Sequence, residues 1–237
     1  MVALSEVAGI VAGIISFAAY PIYIFRSWQK DNSPHPFTWI LSAIISFVFL
    51  FSYRESGAGN TFWVPLSDFI GNTILAIFVL AQAEHKKSGK NKQCSLMEWL
   101  RILSSLLFQA PTCKFLKWFM AFDIIDRFCA ILTVIAILFL SLSNDAYIAF
   151  AATLLAEVLA LIPTIRSVWQ DHNNEDALTW GFSVLGDVFN IFAIQKGVLV
   201  EIIYVTVTLV ANGIVFVIAF LGNLLRKAEK AFRRDQT

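Results

Sequence analysis

Ser27–Trp39 reads SWQKDNSPHPFTW and Val168–Trp180 reads VWQDHNNEDALTW. Aligned without gaps, Trp28 falls on Trp169, Gln29 on Gln170, Thr38 on Thr179 and Trp39 on Trp180, all at one offset of 141 residues. One matched tryptophan means little, but a series in order marks an internal repeat, which sets the whole architecture. The register continues in both directions: Ser16 falls on Glu157, Ser42 on Ser183 and Ser46 on Asp187. Pro21 and Pro163 lie one position out of register, and Asp68-x-x-x-Asn72 parallels Thr208-x-x-x-Asn212 at an offset of 140.

The repeated unit is made of apolar runs. Of 237 residues, 58% are hydrophobic and only 15% charged, where a soluble domain carries roughly a quarter. The runs approach the ~20 residues that cross ~30 Å of hydrocarbon as a helix. Seven spans are expected: Leu4–Phe25, Pro36–Tyr53, Thr61–Gln82, Trp118–Leu142, Ala146–Val168, Ala177–Gln195 and Val198–Leu225. The start of the chain lacks the basic segment of a cleavable signal, so its apolar run reads as a retained first span.

Three spans belong to each repeat, in residues 1–83 and 143–225, with the span of residues 118–142 between them. An odd number of spans would invert the second copy, and one linker helix restores its direction. The fold class is therefore an all-α integral membrane protein of seven transmembrane helices: two parallel three-helix repeats joined by a linker helix, a 3+1+3 plan. In the connection 84–117, Leu96, Trp99, Leu100, Leu103, Leu106 and Leu107 recur at helical spacing until Pro111, which suits an amphipathic helix on the membrane surface.

Charge orients the chain. With seven spans, fifteen Lys and Arg fall on the side of the C-terminal tail (226–237), against only Arg54 and Lys196 opposite. The positive-inside rule puts the C-terminus in the cytoplasm and the N-terminus outside or in a lumen. A net charge of +1 speaks against a nucleic-acid partner. Three Cys without C-x-x-C spacing and three scattered His offer no metal set, and no cofactor is expected. The partners are the lipid bilayer and a small-molecule solute; a homo-oligomer is left open.

The polar residues inside the spans carry the functional reading, because ionisable groups at membrane depth face an interior or a cavity. Ser183, Gly186, Asp187 and Asn190 share one helix face by their i, i+3, i+4, i+7 spacing. Ser42, Ser46 and Tyr53 form a weaker version in the first repeat. Asn72 and Asn212 recur in paired positions one turn after Asp68 and Thr208, and Asn72, Asn212, Asn190, Asp68 and Ser46 are candidate solute ligands. Asp187 and Glu157 are candidates for proton coupling, since buried carboxylates can carry protons. Pro21 and Pro163 are candidate hinges that end or bend the first helix of each repeat. Asp123, Asp126 and Arg127 read as an interfacial ion-pair set, and Trp39 and Trp180 as interfacial anchors.

The segment IPTIRSVWQDHNNEDALTWGFSVLGDVFNIFAI, Ile162–Ile194, resembles the SWEET and PQ-loop transporters: a Pro-led helix end, a short polar loop, then a helix with a Gly-Asp pair. Length, 3+1+3 plan and N-outside orientation are similar across nearly the whole chain. The Pro-Gln dipeptide itself is absent, with Ile22 after Pro21 and Thr164 after Pro163, and the second helix of each repeat lacks the family's proline near Trp39 and Trp180. The resemblance implies a transporter moving a small polar solute, sugar-like first, by alternating access, with Asn72 and Asn212 on the solute. Its proton-coupled PQ-loop branch implies an amino acid or related metabolite as the alternative. A non-transporting seven-helix receptor remains a competitor. Retinal chemistry is excluded by the lack of a lysine in Val198–Leu225, and no His-x-x-x-His or Ser/His set points to an enzyme.

Overall fold

The computed structural model describes residues 2–30, 36–87, 145–170, 175–195 and 197–234, with isolated positions between 124 and 138. The amphipathic segment around Leu96–Leu107, Asp123 and Asp126 lie outside the described residues. So does most of the expected linker span, where Ile124, Phe128, Ile131, Val134, Ile135 and Leu138 are helical and exposed.

Six helices are described: α1 (Val2–Lys30), α2 (Pro36–Glu55), α3 (Trp63–Lys87), α4 (Ala146–Gln170), α5 (Ala177–Ile191) and α6 (Leu199–Arg234). A 3-10 turn, Asn60–Phe62, leads into α3, and no strand occurs among the described residues. Four stretches are long and apolar enough to cross a membrane: Leu4–Gln29, Asn60–Gln82, Ala146–Gln170 and Leu199–Leu225. Large aliphatic side chains such as Ile14, Ile44, Leu155 and Val210 point outward from the bundle. Exposed apolar surface on this scale is what a lipid-facing bundle presents and a soluble monomer avoids.

Two boundaries differ from the sequence expectation. Pro21 and Pro163 do not end their helices, which run on to Lys30 and Gln170. Each proline withdraws one N–H, from the carbonyls of Phe17 and Leu159, and the turns on either side keep the helix together. The sixth expected span reaches Gln195, but α5 stops at Ile191. There the bonds tighten to Phe192 N–H with Phe189 O and Ala193 N–H with Asn190 O. Gly197, at φ +88°, then turns the chain into α6.

Packing follows the repeat. In the first bundle α3 lies between α1 and α2, and in the second α6 lies between α4 and α5. The bundles meet through α1 on α5 and α2 on α4, so the first helix of each repeat packs on the second helix of the other. That is the exchange a twofold axis along the helices demands. The six helices close into a ring, in the order α1, α3, α2, α4, α6, α5. Pseudo-equivalent helices stand opposite each other across it. The α1–α5 contact is close because Gly186 has no side chain: a Cβ there would overlap Ser16 Oγ.

Candidate functional site

The ring encloses a cavity of about 90 Å³, and every described helix contributes to the wall. Most of the polar lining comes in pseudo-equivalent pairs: Ser16 with Glu157, Tyr23 with Thr164, Trp39 with Trp180, Ser42 with Ser183, Asp68 with Thr208 and Asn72 with Asn212. The cavity therefore sits on the pseudo-twofold axis. In three registers an acid in one repeat stands where the other has a hydroxyl: Asp68 against Thr208, Glu157 against Ser16, Asp187 against Ser46.

The polar groups are held by named partners. Tyr20 Oη donates to Asp68 Oδ1 at 3.0 Å and Tyr204 Oη donates to Asp68 Oδ2 at 3.4 Å. Asn212 Nδ2 donates to Asp187 Oδ2 at 2.8 Å, and Asn72 Nδ2 donates to Ser46 Oγ at 3.3 Å. Ser46 in turn donates to the Ser42 carbonyl one helical turn back at 2.6 Å. Glu157 Oε2 and Ser16 Oγ are buried without a hydrogen-bond partner among the described residues.

Contacts between the bundles cross both ends of the cavity. At the end where α2 finishes and α6 begins, Phe49, Tyr53, Phe150 and Tyr204 form a buried aromatic cluster, with Tyr53 and Tyr204 ring centres 4.8 Å apart. Tyr53 Oη is 2.7 Å from Thr61 Oγ1, and Ser52 Oγ lies 3.3 Å from Thr153 Oγ1 on α4. Glu201, fully buried, accepts from Gly59 N–H at 2.8 Å and Gln195 N–H at 2.6 Å, tying together the loops before α3 and α6.

At the other end Asp176 caps α5, accepting from Thr179 N–H and Thr179 Oγ1, both at 3.1 Å. Its second oxygen takes Arg26 of α1 at 3.0 Å. Glu175 accepts from Trp180 Nε1 at 3.0 Å and from Tyr23 Oη at 3.4 Å. Burial pushes the Glu175 carboxyl up to about 7; the bonds from Trp180 and Tyr23 oppose the rise and the neighbouring Asp176 adds to it. Tyr23 also packs on Trp39, ring centres 5.1 Å apart, so both repeat tryptophans belong to this closure.

Of the residues singled out in the sequence, Asp68, Asn72, Glu157, Asp187 and Asn212 line the cavity. Ser46 stands behind the wall, reached through Asn72. Asn190 is fully buried, its amide unpartnered among the described residues, and is not part of the lining. Pro21 and Pro163 lie outside the lining too. The site also uses Tyr20, Tyr23, Tyr204, Glu175, Asp176 and Glu201, which sequence reasoning passed over. Two signals were available: Ser16, Tyr20 and Tyr23 share a face by i, i+4, i+7 spacing, and Asp176 opens an apolar helical run as an N-cap residue does. No family model, no curated protein and no solved structure matches the chain.

Proposed function

We propose that the chain is a membrane transporter that moves a small polar solute through the central cavity by alternating access between two three-helix bundles. The single observation that carries this reading is the cavity on the pseudo-twofold axis, walled by all six helices and crossed at each end by contacts between the bundles. Opening one end breaks the Arg26–Asp176 and Tyr23–Glu175 bonds; opening the other parts Glu201 from Gly59 and the aromatic cluster from itself. Pro21 and Pro163, each with a carbonyl freed one turn back, are the positions where α1 and α4 bend most cheaply.

On this reading the plan is 3+1+3 with a linker helix in residues 118–142, the N-terminus is outside or lumenal, and the chain is a divergent relative of the SWEET and PQ-loop transporters. That resemblance implies a sugar-like solute held by Asn72 and Asn212. Three carboxylates in the same cavity favour a second reading, a proton-coupled carrier of an amino acid or related metabolite, with Asp187 and Glu157 taking the proton.

Uptake into proteoliposomes, over a panel of sugars, amino acids and nucleosides at two lumenal pH values, tests the carrier reading. Solute accumulation above protein-free vesicles supports it, and no movement under any gradient sinks it. Flux that is unchanged in Asp187→Asn and Glu157→Gln at every pH rules out coupling through those residues.

A further inference from the structure

We propose that Glu175 is a proton-operated latch between the two bundles, separate from the cavity acids: with its proton bound the Arg26 end stays shut, and without it that end is free to part. The inference rests on the carrier reading and adds a regulator to one of its two closures. Glu175 lies in the loop that leads into α5 of the second bundle and is only 7% exposed. Its two oxygens are divided between the bundles. Oε1 faces Tyr23 Oη of α1 at 3.4 Å, and Oε2 accepts from Trp180 Nε1 of α5 at 3.0 Å.

The guanidinium that α1 brings to this seam, Arg26, is taken by Asp176, which also caps α5. From α1, Glu175 therefore meets a phenol, from α5 an indole, and along its own chain a second carboxylate. α4 and α6 reach the adjoining Ala177 with the uncharged Val168 and Ala219, and α2 adds the indole of Trp39 against Tyr23. A carboxylate buried among neutral partners is costly to keep ionised.

An indole N–H only donates, so a proton on Glu175 has to sit on Oε1. There the Tyr23 hydroxyl, which can accept as well as donate, takes the carboxyl O–H and keeps the bundles tied. Protonation thus preserves both bonds and removes the buried charge. Ionisation strands a carboxylate on two neutral donors beside Asp176, and parting the bundles lets water reach it. Burial holds this proton up to about 7, against 4.5 for an ordinary glutamate. Linkage then lowers the shut-to-open ratio by nearly tenfold per pH unit as pH rises between those values, about 300-fold in all. The device exists once, because the first repeat has Pro34 at this register, without an acceptor side chain. On the proposed orientation the Arg26 end is cytoplasmic, so an acidifying cytoplasm holds the carrier shut on that side.

The test uses the full chain in lipid nanodiscs, its native cysteines replaced, with spin labels on cysteines introduced at Gln29 and Gln170. Both positions are exposed, in the last turns of α1 and α4, one in each bundle. Electron–electron distance measurements from pH 5 to pH 8 should show a short-distance population giving way to a longer one, their ratio falling at least tenfold. Glu175→Gln presents an NH2 to Tyr23 and an oxygen to Trp180, as the protonated acid does, and should stay short throughout. Tyr23→Phe keeps the ring on Trp39 but loses the bond between bundles, and should already show the longer distance at pH 5. A wild-type ratio that does not change with pH overturns the latch. So does a Glu175→Gln profile parallel to the wild type, or a Tyr23→Phe profile identical to it. The Tyr23 variant decides the matter if Glu175→Gln fails to fold. Each of these failures leaves the carrier reading standing, since uptake into proteoliposomes judges that separately.

Discussion

Asn212 donates its amide to Asp187 across the α5–α6 contact as Asn72 donates to Ser46 across α2–α3. One hydrogen bond, made twice by the repeat, has a carboxylate acceptor in one copy and a hydroxyl in the other. The asymmetry has an energetic consequence. A bond to a charged group contributes about 1.5–3 kcal/mol and one between neutral groups about 0.5–1.5 kcal/mol.

Asn212→Ala is therefore expected to destabilise the protein by about 2 kcal/mol and Asn72→Ala by about 0.5–1 kcal/mol. Thermal unfolding in a mild detergent measures both, and Asp187→Asn should shrink the gap between them. Equal losses in the two alanine variants would count against an ionised Asp187.

At Gly186 α1 lies so near α5 that Ser16 Oγ occupies the space a side chain would take. Gly186→Ala should cost about 1–3 kcal/mol, the usual penalty for overpacking. Adding Ser16→Ala removes the oxygen that the new methyl meets, so the double variant should recover most of the loss. Additive losses would mean that the helices have another reason to lie so close.

Glu175 titrates near 7 in the folded chain against an ordinary value of 4.5. The fold holds its proton more tightly than the unfolded chain does. Its contribution is thus most favourable below pH 4.5 and is lost progressively as pH rises to 7, by about 3 kcal/mol across that window. Glu175→Gln stays neutral throughout. The melting temperature of the wild type should fall relative to that variant between pH 5 and 8; parallel curves would refute the assignment.

Glu201 accepts two backbone N–H groups that no glutamine can fully serve, because a Gln presents one oxygen and one NH2. Glu201→Gln should leave one buried N–H unmet, at a cost of about 1–3 kcal/mol, and loosen the end capped by the aromatic cluster. A cysteine at Ala58, which packs against that cluster, in a chain without its native cysteines, reports this as faster labelling by a membrane-impermeant reagent. Unchanged labelling would show that the aromatic rings alone hold that end.

The fold was largely legible because a repeat is legible: Trp28, Trp39 and their partners 141 residues on need no structure to align. The acid–hydroxyl exchanges were readable for the same reason. Cavity and burial were harder. Asn190 shares a helical stripe with Ser183 and Asp187, yet it lies seven residues, about 10 Å of rise, beyond Ser183, and falls past the lining. Pro163 looked like a helix end because sequence reading weighs the lost N–H and cannot see the turns that hold on either side. Glu175 and Glu201 escaped notice since an acid beside a span end usually faces water. Here each is folded inward onto donors supplied by distant segments, Tyr23 and Gly59, that no local pattern links to it.

α6 continues without a break for 36 residues, from Leu199 to Arg234, while its apolar stretch ends at Leu225. The last nine residues therefore extend the helix by about 13 Å at 1.5 Å per residue, as a stiff arm beyond the lipid-facing part. A rigid rod amplifies tilt: a rotation of about 10° around the cavity level, where Asn212 lies, displaces the arm's tip by roughly 6 Å over the ~33 Å between them. The tail is thus a mechanical pointer fixed to the second bundle, and a spin label at its end would read any tilt of that bundle directly, away from every cavity residue.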